Sequence, residues 1–166
     1  MPTLYLSCFR LTSLDPARIV TAYSSLHPGE RDYYSQKILS VHRQRGWLAR
    51  YYLKRLSRRF LGQSVDFKTL NTCTHFNFFC YKKVFLNYSI TYAKTFGIVS
   101  VAPARHAIDL LKLKSNSSLG MSFEEWAKRE LATKAYGQNG FELPLASLLF
   151  DGVVKNNDYL FTYLQP

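Results

Sequence analysis

A chain of 166 residues, 47% of them hydrophobic, is long enough for one domain or two small ones sharing a core, and too apolar for a disordered class. Lys and Arg number 22 against 11 Asp and Glu, so the surface attracts anions such as a phosphorylated cofactor, nucleic acid or an acidic protein partner. Cys8, Cys73 and Cys80 form no CxxC pair, their odd count argues against a secreted disulfide framework, and no apolar run approaches the roughly 20 residues of a membrane span, so the expectation is a soluble, cytoplasmic protein with no membrane partner.

Thr3 to Leu11 is rich in β-formers and predicts a strand that ends before the turn-prone Ser13-Leu14-Asp15-Pro16, with Pro16 starting a short helix. After His27-Pro28-Gly29, the residues Tyr34, Ile38, Val41, Leu48, Tyr52, Leu56 and Phe60 recur at helical spacing. They predict a helix or helix pair running to Leu61, with Gly62 as its stop. Arg45 falls between Val41 and Leu48 where that stripe calls for an apolar side chain, and an inward arginine needs an anionic partner. Arg43, Arg50, Lys54 and Arg58 fall on the other faces.

From Phe67 to Ala102 the aromatic and β-branched residues predict several strands, and Pro103 breaks the run. Ile108 to Leu113 predicts a further strand leading to a polar loop over 114–118. Ser122 followed three residues later by Glu125 is a capping-box signature, and with Gly137 as a stop it predicts a helix over Phe123 to Tyr136. The tail from Phe141 to Leu164 reads as short strands around turns at Asp151-Gly152 and Asn156-Asn157.

On the Phe123 helix, Phe123, Ala127 and Leu131 form an apolar row, and Trp126, Glu130 and Lys134 form the row beside it. A carboxylate and an ammonium one turn apart suit a hard cation and a phosphate. Asp109, on a separate strand, adds a second carboxylate, and together the three suggest a magnesium-diphosphate site. In isolation the Glu130/Lys134 pair is worth only about 0.3 to 0.5 kcal/mol as a surface pair, so its order among the other motifs carries the weight.

The arrangement resembles the surfactin-type 4'-phosphopantetheinyl transferases, as a divergent and shortened member. That family carries a Gly-Ile-Asp-x-Glu strand end followed by a Trp-x-x-Lys-Glu-Ala-x-x-Lys helix. The corresponding stretches here are His106-Ala107-Ile108-Asp109-Leu110-Leu111 and Trp126-Ala127-Lys128-Arg129-Glu130-Leu131-Ala132-Thr133-Lys134. In the first half, Arg43-Gln44-Arg45-Gly46-Trp47-Leu48-Ala49-Arg50 is similar to the family's arginine-bearing helix, and Phe85-Leu86-Asn87-Tyr88-Ser89-Ile90 to its Phe-Asn-x-Ser-His motif.

The resemblance implies an α+β fold of two related α/β halves packed as a pseudo-dimer, residues 1–102 and 103–166, with coenzyme A between them. The implied reaction transfers 4'-phosphopantetheine from coenzyme A to a serine of an acyl or peptidyl carrier protein, with magnesium. On matching positions Asp109 and Glu130 are implied metal ligands, Glu130 the general base, Lys134 a catalytic phosphate contact, Arg45 a contact to the 3'-phosphate of coenzyme A, and Arg129 a replacement that keeps the charge of the motif's lysine.

Four positions depart from the pattern. Leu111 stands at a second acidic ligand, Ile90 at a phosphate-binding histidine, and Glu30 and Tyr33 where two basic residues are expected near the 3'-phosphate, so Glu30 is expected to repel the phosphate. The alternative is a catalytically degenerate member that binds coenzyme A or a carrier protein without transfer. A nucleic-acid-binding module, suggested by Lys82 and Lys83 among Phe76, Phe78, Phe79 and Tyr81, is the remote one, since no recognised nucleic-acid motif accompanies them.

Overall fold

The computed structural model describes residues 4–11, 15–73, 77–112, 123–136, 152–155 and 159–164. The protein is a mixed α+β chain. Strand β1 (Tyr5–Arg10) is followed by helices α1 (Pro16–Ser24), α2 (Pro28–Ser35) and α3 (Ser40–Leu61), and then by strands β2 (Phe78–Tyr81), β3 (Val84–Tyr92) and β4 (Phe96–Ala102). These four strands form one antiparallel sheet in the order β1-β4-β3-β2. Beyond Pro103, β5 (Ala107–Lys112), α4 (Phe123–Tyr136), β6 (Gly152–Lys155) and β7 (Tyr159–Leu164) build a second unit, whose antiparallel sheet runs β5-β7-β6 with α4 against β5 and β7. Ser122, Gly137 and the turn at Asn156-Asn157 lie outside the described residues; Gly152, read as part of a turn, opens β6.

Each of the first two helices carries its own start signal. Asp15 Oδ1 accepts from Ala17 N at 3.0 Å with Pro16 in the first turn of α1. In α2, His27 Nδ1 accepts from Gly29 N at 3.0 Å, while the Glu30 carboxylate reaches back to His27 N at 3.0 Å. Helix α3 ends on Gly62, whose φ of +92° is open to glycine and strained for any residue with a Cβ.

Helix α3 lies across the first sheet and α1 packs on α3. The core between them contains Phe9, Leu48, Ala49 and Val99 on one side and Leu53, Leu70, Phe79, Leu86 and Val101 on the other. Phe9 stacks on Tyr52 with ring centres 4.9 Å apart. The buried face of α3 keeps the expected stripe from Leu48 through Tyr52, Leu56 and Phe60, but Val41 on α3 and Ile38 before it are exposed and Arg45 is half-buried, while Gly46, Arg50, Lys54 and Ser57 are buried beside the stripe. Gly46 allows the close approach of α2: a Cβ there would sit 2.0 Å from Tyr34 Cε1, so the missing side chain lets α2 press its tyrosine onto α3. Gly46→Ala is therefore expected to destabilise the protein by about 1 to 3 kcal/mol through overpacking, despite alanine's better helix propensity. A denaturant midpoint equal to or above that of the parent would refute the close contact.

The two units meet through polar side chains on the face of β3 and β4 away from α3. Ser89 Oγ accepts from Ile108 N at 3.1 Å, Thr91 Oγ1 donates to Asp109 Oδ1 at 3.2 Å, and Ser100 Oγ lies 2.8 Å from His106 Nε2. The Ala104 carbonyl, 3.2 Å from His106 Nδ1, can only accept, so Nδ1 carries the proton and Nε2 is left as an acceptor for Ser100. Burial holds this imidazole below its ordinary value of 6.5. The unfolded chain therefore takes up its proton first, so the stabilising contribution is complete above pH 6.5 and is lost as the pH falls from there through the folded value. The unfolding midpoint is expected to drop over that interval, and His106→Gln is expected to flatten the drop. A parent profile already flat below pH 6.5 would remove His106 from the argument.

Candidate functional site

Two groups of side chains stand out, one on each side of β3. The first surrounds Asp109. Near the middle of β5 this carboxylate is buried and accepts from Thr91 Oγ1. Lys134, in the last turn of α4, reaches across to form an ion pair with Asp109 Oδ1 and lies 3.4 Å from the Ile108 carbonyl oxygen. The two residues are 25 positions apart in sequence. Glu130 lies one turn before Lys134, half-buried, with no ion pair among the described residues. Arg129 Nη2 lies 3.5 Å from Glu125 Oε1, a contact along α4. The structure thus joins Asp109 to Lys134 directly and puts Glu130 on the same helix, whereas Arg129 engages its own helix and Arg45 belongs to a different cleft.

Asp109 and Glu130 can be judged as magnesium ligands from their chemistry. Among the described residues no three His, Cys, Asp or Glu side chains gather in one place. A caged metal is therefore not supported, but magnesium is commonly held by one or two carboxylates together with substrate phosphates and water. Asp109 is engaged by Lys134 and Thr91, and Glu130 stands on the adjoining helix with no contact to it, so the two carboxylates would hold magnesium only together with substrate phosphates and water.

The second group lines a cleft of about 380 Å³ between α2, α3 and β3. Its cationic side chains are Lys37, Arg45 and Arg50, with His42 beside them, and among the described residues no carboxylate lines it. Tyr33, Tyr34 and Tyr92 supply aromatic walls, while Gly46 and Ile90 leave space between them. Lys37 sits over the Tyr33 ring, 4.8 Å from its centre. Arg45 Nη2 is 3.5 Å from the Lys94 carbonyl oxygen, so its guanidinium is held at the cleft rather than buried beneath it. A basic, aromatic cleft of this size suits a phosphorylated ligand with a planar ring.

Behind the cleft is a buried polar network that the sequence reading missed. Lys54 Nζ donates to Ser25 O at 3.1 Å, Phe67 O at 3.0 Å and Glu30 Oε2 at 2.5 Å. The other Glu30 oxygen accepts from Thr72 N at 2.8 Å and from Thr72 Oγ1. Glu30 is fully buried, so the expectation that it repels a phosphate is corrected: its charge is answered by Lys54 and it does not line the cleft. Burial pulls the Lys54 ammonium below its usual range, while the Glu30 carboxylate pulls it back up. Arg50 Nε donates to Tyr34 Oη at 3.1 Å, and burial pushes the Tyr34 phenol well above its usual range against the pull of Arg50. A signal was present in the sequence: Gly46, Ala49 and Ser57 place small residues along one side of α3, and a close-packed helix face collects such residues.

The two groups are linked through β3. Ile90 and Tyr92 point to the cleft, and Thr91 between them points to Asp109, as the alternation of a strand requires. No family model matches the sequence, and no curated protein matches it.

Proposed function

We propose that this protein transfers 4'-phosphopantetheine from coenzyme A to a serine of an acyl or peptidyl carrier protein, with magnesium, within a fold of two related halves over residues 1–102 and 103–166. The observation that carries the reading is the direct meeting of Asp109 and Lys134 from separate elements, because the motif resemblance requires these two residues to share one site. The basic cleft containing Arg45 lies within residues 1–102, on the other face of β3, and not between the two halves as expected for coenzyme A. In this reading it takes the adenosine 3'-phosphate, and Lys134 the diphosphate.

In this reading the carrier serine hydroxyl attacks the phosphorus attached to the pantetheine arm. The bond from that phosphorus to the oxygen of the other phosphate breaks, and adenosine 3',5'-bisphosphate leaves with the electron pair. Glu130 takes the serine proton. Lys134, drawn from Asp109 to the phosphate oxygens, offsets the charge that develops there. Magnesium, when bound by Asp109 and Glu130, neutralises diphosphate charge and orients the phosphates.

One observation favours the alternative, a member that binds coenzyme A or a carrier protein without transfer: Ile90 lines the cleft with no donor where the resemblance has a histidine. Mass spectrometry of an apo carrier protein incubated with the chain, coenzyme A and magnesium separates the readings. A carrier heavier by one phosphopantetheine group supports transfer. An unchanged carrier with coenzyme A bound to the chain supports the alternative, and an unchanged carrier with no coenzyme A bound overturns the family reading.

A further inference from the structure

Arg50 carries a charge that no carboxylate among the described residues answers. It is only 9% exposed, yet it lines the cleft. Its Nε donates to Tyr34 Oη at 3.1 Å, its Nη1 donates to the Thr72 carbonyl at 2.9 Å, and the guanidinium carbon lies 5.1 Å from the centre of the Tyr88 ring. Thr72 O is fixed in turn by Tyr88 Oη at 2.7 Å. Among the described residues no carboxylate pairs with Arg50, and Nη2 has no hydrogen-bond partner. The one carboxylate of the network, Glu30, is engaged by Lys54. Two buried cations therefore share one anion, an imbalance that is costly in a low-dielectric interior and that an arriving anion relieves.

A guanidinium held at two nitrogens has its third direction set in advance. Arginine cannot shed its proton, so the positive charge persists at any working pH. The remaining nitrogen belongs to the same cleft as Ile90, where a donor is missing, and Arg45, which supplies a second guanidinium. We infer that Arg50 is a phosphate-binding residue of this cleft, its Nη2 gripping the 3'-phosphate of coenzyme A from the inner wall while Arg45 holds it from the rim. The inference rests on the reading that the cleft takes coenzyme A. It adds a contact that the motif resemblance does not supply, and it accounts for how a cleft with isoleucine at position 90 still holds a phosphate.

Calorimetric titration with coenzyme A and with dephospho-coenzyme A, which lacks the 3'-phosphate, tests the assignment. The parent chain is expected to prefer coenzyme A. Arg50→Lys keeps the charge but loses the fork, and is expected to reduce that preference about tenfold while leaving dephospho-coenzyme A affinity nearly unchanged. Tyr34→Phe removes one anchor and keeps the arginine, with an expected reduction of about threefold, and it decides the matter if Arg50→Lys does not fold. A purely structural Arg50 would weaken both ligands equally. An unchanged preference in a folded variant overturns the role of Arg50 and leaves the transferase reading standing. A parent chain that binds neither ligand overturns both.

Discussion

Lys54→Met is expected to lower stability by about 3 to 5 kcal/mol, the usual penalty for removing one partner of a buried ion pair. Three acceptors lose their donor at once: Ser25 O, Phe67 O and Glu30 Oε2. Glu30 would remain buried and charged with only the Thr72 and His27 donors to hold it. Against a typical total of about 5 to 15 kcal/mol this is a large fraction, and in a chain of this length it corresponds to a fall of about 6 to 20 °C in Tm. Adding Glu30→Gln to Lys54→Met is expected to recover part of the loss, because it removes the orphaned charge; a double-mutant cycle in denaturant measures the recovery. A loss below about 1 kcal/mol for the single variant would mean that the pair is not buried as described.

Glu130→Gln is expected to reduce the transfer rate by about 10² to 10⁴-fold, the usual contribution of a general base, with Tm nearly unchanged. The unchanged Tm follows from the position of Glu130 on α4, half-buried and without an ion pair among the described residues. Lys134→Met should behave differently. It takes the counter-charge from Asp109, whose side chain is 7% exposed, so stability and rate both fall. The discriminating measurement sets single-turnover transfer beside thermal unfolding for each variant. A Glu130→Gln protein that unfolds early marks Glu130 as structural, and one that transfers at the parent rate eliminates it as the base.

The elements that were legible in the sequence are those whose signals are local. The limits of α4 match Phe123 to Tyr136, and α1 begins at Pro16 as read. Gly62 ends α3 because no long-range contact competes with a positive φ at a helix terminus. The polar part of the inner face of α3 was missed for a physical reason. A hydrophobic stripe counts apolar side chains, but here Arg50 and Lys54 point inward, and the partners that make their burial tolerable come from Ser25, Glu30, Phe67 and Thr72, all distant from them in sequence. Glu30 illustrates the same point: aligned by neighbours it reads as a repulsive surface charge, while in the fold it caps α2 and neutralises Lys54. The hairpin joining β2 to β3 was hidden because Lys82 and Lys83 adopt φ of +45° and +69°, values normally announced by Asn-Gly. Of the candidate site, motif order suggested a site shared by Asp109, Glu130 and Lys134, of which the structure brings Asp109 and Lys134 into direct contact. Arg50 was not legible, because nothing local distinguishes it from the other arginines of α3.

The strand order of the first sheet sets a timetable for folding. Among the described residues strand β1 lies at an edge and pairs with β4 alone, so Tyr5 waits for Val101, 96 positions later, before its ladder can close. Closing so long a loop precedes any reward from the contacts it brings, which slows folding relative to a helical chain of equal length. Helices α1, α2 and α3 and the β2-β3 hairpin rely on nearer partners and can form while β1 is still unpaired. During synthesis the open β1 edge, with Leu6 and Cys8 exposed even in the finished protein, is therefore the stretch most in need of protection until residue 101 has emerged.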